Sequence, residues 1–209
     1  MSAHNLKTKL RSQPLSNLSF ADVERMLKQR GLFDRSLNHS GKGISHQYEV
    51  VELQTCKFIV DHLTGLMWQR DGTSVDVDFD GANQHIQELN RQSFGGFKNW
   101  RLPTLEEAMS LMESEDKKDG LYLDPVFSEE RTDIRYIWTS DLSTYGTPWY
   151  VCLPDGFCMS DDFSSITNRV RAVRQVSQET SKKQGCLTLV SILILTAIIS
   201  VMTLMNFKL

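Results

Sequence analysis

The stretch Gly95-Gly96-Phe97-Lys98-Asn99-Trp100-Arg101-Leu102-Pro103-Thr104-Leu105-Glu106-Glu107 decides the fold. It reads as a turn, an extended segment and a helix start in immediate succession. Phe94-Gly95-Gly96 ends a preceding helix. Asn99 to Pro103 is extended, because Pro103 biases Leu102 away from helical dihedrals. Thr104 then opens a T-x-x-E capping box with Glu107, and Leu105, Ala108, Leu111 and Met112 face inward. Arg101 stands beside Trp100 and just ahead of the helix. There it is placed to hold a carboxylate or loop carbonyls in a two-pronged grip.

Working back toward the N-terminus, Ala82, Ile86 and Leu89 set one face of the preceding helix, which begins at Ala82. Residues 71–81 form a polar loop carrying Asp76, Asp78 and Asp80. Tyr48 to Val60 is strand material, and after a Thr64-Gly65 turn Leu66 to Gln69 returns as its partner. Arg35 to Ser45 is a loop rich in Gly, Ser and Asn. Ahead of it, Ser19 caps a short amphipathic helix with Asp22 at its third position. Phe20, Val23 and Leu27 form the apolar stripe, and Gly31 closes the helix. Residues 1–17 are polar and expected to fray.

Toward the C-terminus, residues 113–120 are a charged loop. Tyr136 to Ser140 is a strand, and Trp149–Leu153 and Phe157–Met159 form a hairpin. With Asp155-Gly156 as a two-residue loop, Leu153 faces Cys158 and Cys152 faces Met159, so the two cysteines point to opposite faces. Val170-Arg171-Ala172-Val173-Arg174 alternates apolar and basic, as a half-exposed strand does. Ser177 to Cys186 is a polar linker. From Leu187 to Phe207 there is no charge, and Lys182 and Lys183 precede the run while Lys208 follows it. About 20 apolar residues match a hydrocarbon core about 30 Å thick. The expected organisation is a frayed 1–17, a helix and loop over 18–47, a domain over 48–176, a linker over 177–186 and a transmembrane helix over 187–207. The class is α+β, with short antiparallel sheets and two helices in the domain.

The 209 residues carry a net charge of −3 with no clustered basic surface, which excludes bulk nucleic-acid affinity. No basic segment followed by an apolar run stands near Met1. A tail-anchored, single-pass protein with its bulk in the cytoplasm is therefore expected, the lysine pair favouring the cytosolic flank. In that compartment Cys56, Cys152, Cys158 and Cys186 are reduced.

The ordered motifs resemble a known family. Asp61-His62-Leu63-Thr64-Gly65-Leu66-Met67-Trp68 looks like the "D-x-x-T-G-L-x-W" opening of the Lcl C-terminal domain family, named for the Legionella collagen-like protein. Gly95 to Thr104 is similar to its central "G-G-x-x-D/N-W-R-L-P-T" signature. Tyr136-Ile137-Trp138-Thr139-Ser140 resembles its "Y-W-T-S" strand with Ile137 inserted. Trp149-Tyr150-Val151 and Val170–Arg174 resemble its last strands, with Ala172 where many relatives have cysteine. The resemblance implies a bacterial domain of C-type-lectin or formylglycine-generating-enzyme architecture, with binding as the default. The relative that names the family attaches to sulfated glycans.

Two readings of the tryptophans stand side by side. Trp68, Trp100, Trp138 and Trp149, with Arg101 and Pro103, suit pins for irregular loops. Recognition is expected on the loops 71–81, 113–120, 141–148 and 155–168, with Trp149, Tyr150, Asp155, Phe157, Asp161 and Asp162 as the surface. Asp76-x-Asp78-x-Asp80-Gly81 resembles the start of a calcium loop, but its twelfth position is Gln87, so a solvated acidic turn is the plainer reading. His4, His39, His46, His62 and His85 form no zinc spacing, and no cofactor is expected. The leading expectation is a non-catalytic, membrane-anchored module for an unknown protein or glycan ligand. The alternatives are an oxidase of the formylglycine-generating type using Cys152 and Cys158, or a structural partner in a membrane complex that docks through the helix at 20–30.

Overall fold

A computed structural model describes residues 8–53, 56–117, 120–127, 135–161 and 167–176. The chain divides into a unit Met1–Arg174 and a second unit Gln175–Leu209. The linker over 177–186 and the apolar run over 187–207 lie outside the described residues. Among the described residues no helix is long and apolar enough to cross a membrane.

The first unit is α+β, with two short sheets. Helix α1 (Phe20–Arg30) starts at the Ser19–Asp22 capping box and stops at Gly31, which is left-handed at φ +67°. Val23 and Leu27 are wholly buried. Phe20 stays half exposed, with its ring edge-on to Trp149 at 4.8 Å. The strand material over 48–60 is not one strand. It folds into β1 (Tyr48–Leu53) and β2 (Cys56–Asp61), antiparallel with Leu53 opposite Cys56. After Gly65, β3 (Leu66–Gln69) returns beside β2.

Helix α2 (Phe79–Arg91) begins three residues before the expected Ala82, because Asp78 caps it by accepting the Gly81 N–H at 2.7 Å. A single 3-10 turn, Phe94–Gly96, follows. Gly95 sits there at φ +61°, and any Cβ would run into the Phe58 ring. That ring stacks on Trp100 at 5.5 Å. Helix α3 (Leu105–Ser110) starts at the Thr104–Glu107 capping box. Arg101 grips Glu107 with two 2.6 Å bonds and also donates to the Leu102 carbonyl at 3.1 Å.

The second sheet runs β4 (Tyr136–Leu142), β5 (Pro148–Cys152) and β6 (Phe157–Met159). Its hairpin pairs Cys152 with Phe157 and Val151 with Cys158, so the loop is four residues long, Leu153 to Gly156, not two. The longer loop moves the register by two and leaves the cysteines on opposite faces. One face of this sheet, with Ile137, Trp149, Val151 and Cys158, joins Ile59, Leu66 and Trp68 in the main core. The other face, with Trp138 and Tyr150, packs on Ala82, Leu102 and Val170.

The final strand departs most from expectation. β7 (Val173–Gln175) does not close the second sheet; it joins the first beside β3. Nor is it half exposed, because Arg171 and Arg174 are both buried. Arg171 donates to the carbonyls of Gln69 at 2.7 Å, Phe127 at 3.2 Å and Arg70, with its guanidinium over the Phe127 ring. Arg174 lies 3.7 Å over the Phe97 ring and donates to Asn99 Oδ1. A guanidinium can be buried where carbonyls and ring faces replace water.

Residues 8–17 are bonded to the rest of the unit. Arg11 binds Asp141 through two bonds of 2.8 and 2.6 Å, and the N–H groups of Leu15 and Leu105 each donate to the same carboxylate at 2.7 Å. Thr104 Oγ1 donates to the Arg11 carbonyl. Asp141 is fully buried, so these four donors replace its hydration. Replacing Asp141 with Ala strands the Arg11 charge and the α3 N-terminus. The Asp141→Ala variant is expected to lose about 3–5 kcal/mol of unfolding free energy, read from urea denaturation.

Asp61 is a second buried anchor. It accepts from Leu63 N–H at 3.1 Å, Gln47 N–H at 3.3 Å and the Thr64 hydroxyl, and it faces His46 Nδ1 at 2.7 Å. Burial opposes its charge, but the bonds from His46 and Thr64 and the His46 charge outweigh burial and hold its carboxyl below the ordinary 3.8. A depressed carboxyl stabilises the fold above its unfolded value and loses that contribution as pH falls through the folded value. Between about pH 5 and about pH 2 the native chain is therefore expected to lose more stability than Asp61→Asn, measured by thermal melts across that range.

Candidate functional site

The β5–β6 hairpin carries the surface expected from sequence, but does not gather it in one place. Trp149 is core: it is fully buried against Phe20, and its indole N–H has no partner. Tyr150 sits on the opposite face, nearly buried, and its hydroxyl donates to Asp161 Oδ2 at 2.9 Å. Burial pushes that phenol well up, and the bond to Asp161 pushes the same way, so it remains a donor. Asp155 and Phe157 lie at the other end of the strands, in and beside the 153–156 loop. Gly156 is left-handed there at φ +71°, under the rings of Tyr122 and Phe33. Asp162 lies outside the described residues.

Of the other aromatic pins, Trp138 donates its indole N–H to Val77 O at 2.8 Å and Trp100 donates to Phe94 O at 3.0 Å. Trp68 is buried with its N–H unpartnered. Pro103 contributes through its carbonyl, which accepts from Ser140 N–H at 2.7 Å and couples the start of α3 to β4.

Sequence reasoning named the loop 141–148 for recognition but singled out no residue in the β4–β5 turn. Tyr145 stands 89% exposed at its tip, the most exposed of the large apolar side chains described. The turn beneath it is held by a hydroxyl chain: Ser143 Oγ to Thr147 Oγ1 at 2.6 Å, and Thr147 Oγ1 to Ser160 Oγ at 2.7 Å. The Tyr145 N–H donates to Ser143 Oγ, and Gly146 takes the left-handed position. Asp161 follows Ser160, so the Tyr150–Asp161 pair lies at this same end of the sheet. The sequence signal was Ser143-Thr144-Tyr145-Gly146-Thr147, hydroxyls around an aromatic and a glycine between two strands.

The acidic loop does not converge on a point. Asp78 is spent on capping α2, Asp76 pairs with Arg169 Nε at 2.8 Å, and Asp80 is exposed in the first helical turn. Among the described residues no three His, Cys, Asp or Glu side chains are placed to hold a metal.

Cys152 is buried and its thiol donates to Asp155 Oδ2 at 3.0 Å. Burial and that bond push it up to about 12. Cys158 lies on the opposite face and is pushed well above its ordinary range by burial, then by Asp34. Adjacent ladder positions set the two thiols on opposite faces of the sheet, so they do not converge on one copper ion.

The model of the Lcl C-terminal domain family matches residues 57–174, more than half of the chain. The chain belongs to that family, which points to a binding-type module. No curated protein and no solved structure shows significant similarity to the chain.

The raised thiols have a direct readout. In the folded protein at pH about 8, iodoacetamide is expected to label the partly exposed Cys56 and to spare Cys152 and Cys158. Mass spectrometry should find the latter two alkylated only after denaturation.

Proposed function

We propose that this member of the Lcl C-terminal domain family is a non-catalytic, lectin-like binding module, tethered to a membrane by the apolar run over 187–207. Its ligand is a glycan or a protein. The observation that carries the reading is the β4–β5 turn. A ring left almost wholly in water stands on a loop whose hydroxyls are already bonded to one another. Rigid loops presenting an aromatic lose little entropy on binding. Tyr145 gives a stacking face and Asp161 a carboxylate at the same end, an arrangement suited to hydroxyl-bearing or amide-bearing ligands. The tether rests on the uncharged length of the run and on Lys182 and Lys183 at its flank, which favour a cytoplasmic domain. The stripe of α1 is spent on this chain's own core through Val23 and Leu27, so α1 offers a partner mainly its charged side.

Both halves can be tested separately. After lysis without detergent, the full chain is expected in the ultracentrifuge pellet and to resist carbonate, while a chain ending at Val176 is expected in the supernatant. A full chain recovered in the supernatant refutes the tether. On an array of neutral, sialylated and sulfated glycans, and against candidate protein ligands, Tyr145→Ala is expected to bind at least about tenfold more weakly than the native chain. Its stability should stay within about 0.5 kcal/mol, as for other surface substitutions. Equal binding by the variant places recognition elsewhere.

A further inference from the structure

The first sheet ends on β1, which pairs with β2 on one side only, the order being β1-β2-β3-β7. The ladder fixes which backbone groups face outward. Gln47 O accepts from His62 N–H at 2.9 Å, so the Gln47–His62 position is a bonded one. Bonded and non-bonded positions alternate along an antiparallel pair. Glu49, Val51 and Leu53 thus spend their N–H and C=O groups on β2. Tyr48, Val50 and Glu52 direct theirs to the open edge, where no described residue meets them. Proteins usually guard such an edge with lysine, proline, a bulge or brevity. β1 has none of these guards: it is six residues long, in continuous register with β2, and free of lysine and proline.

The side chains along the edge have a definite chemistry. Val50 is 46% exposed, and Glu49 and Glu52 are exposed; His62 bonds Glu49 at 2.7 Å and Lys57 stands opposite Glu52 on the β2 side, while nothing described answers either carboxylate from the open side. We propose that the β1 edge is a docking site for an extended basic segment of another protein, which adds to the sheet as an antiparallel strand. Three outward residues supply the main-chain bonds. The incoming strand places basic residues across from Glu52 and Glu49 and an apolar residue across from Val50. A second copy of this chain supplies no cation to this edge: outward residues must meet outward ones, which sets Glu52 opposite Tyr48 or Val50 and Glu49 opposite Val51 or Leu53. This surface is separate from the β4–β5 turn and stands whether or not that turn binds a ligand.

The test uses the full chain in detergent micelles and the blocked peptide Lys-Thr-Val-Lys-Val at millimolar concentration, read by hydrogen–deuterium exchange. The expected result is slowed exchange confined to the segment 48–53. The peptide Glu-Thr-Val-Glu-Val should bind at least about tenfold more weakly. Val50→Pro removes an outward N–H that the β1–β2 ladder does not use, so it is expected to abolish protection by the peptide while the melting temperature is kept. Should that variant fail to fold, Glu52→Lys serves in its place and should weaken basic-peptide binding about tenfold. Absence of protection by the basic peptide, equal binding of the acidic one, an unchanged response in a folded Val50→Pro or Glu52→Lys variant, or self-association of the chain through 48–53 overturns the proposal.

Discussion

One buried carboxylate organises this domain. Asp141 has no access to water, so its side-chain oxygens must be answered by donors. Arg11 and the Leu15 N–H answer it from the N-terminal segment and the Leu105 N–H from the start of α3. The same carboxylate therefore closes the N-terminal segment, sets where α3 begins and fixes β4 between them. A buried ion pair is no guarantee of net stability, because desolvation offsets much of the attraction. What it enforces is geometry: any arrangement that leaves Asp141 unpaired is expensive, so competing arrangements of these three segments are disfavoured. Asp61 repeats the device at the end of β2, with four donors around a single side chain. Asp34 does so again, holding the Ser36, Leu37 and Cys158 N–H groups.

What could be read from the sequence were the local devices. Both capping boxes, at Ser19 and Thr104, fall where their spacing put them, because a cap is settled within four residues. The grip of Arg101 on a carboxylate follows from its place just ahead of the Thr104 cap. The errors concern partners far away in the chain. Residues 8–17 look like a polar tail until Asp141, 130 positions beyond Arg11, is known to wait for them. Val170–Arg174 looks half-exposed because alternation with arginine ordinarily marks a solvated face. Carbonyls of Gln69, Arg70 and Phe127 turn that face into an interior one. The start of α2 slipped because Asp78 belongs equally to an acidic loop and to a helix cap.

The candidate site was half legible for the same reason. Tryptophans drew attention as large and conspicuous groups, yet Trp149 is at the centre of the core and Tyr150 almost so. Composition cannot tell an aromatic that fills a core from one that meets a ligand. Tyr145 separates from the others through its surroundings alone, a glycine after it and hydroxyl residues on both sides, which mark a turn too tight to bury a ring.

The strap that joins Arg11 to Asp141 also dictates when this domain can be finished during synthesis. Residues 8–17 meet Leu63, Thr104 and Glu106 earlier, but the Arg11 guanidinium lacks Asp141 until β4 has left the ribosome, and β3 waits a further thirty or so residues for β7. Contacts this distant along the chain make the search for the native state slow. A nascent chain must thus carry its early apolar residues, Leu10, Leu18 and the buried side of α1, uncovered through most of translation. That is the interval in which exposed apolar surface leaves a chain open to misassembly.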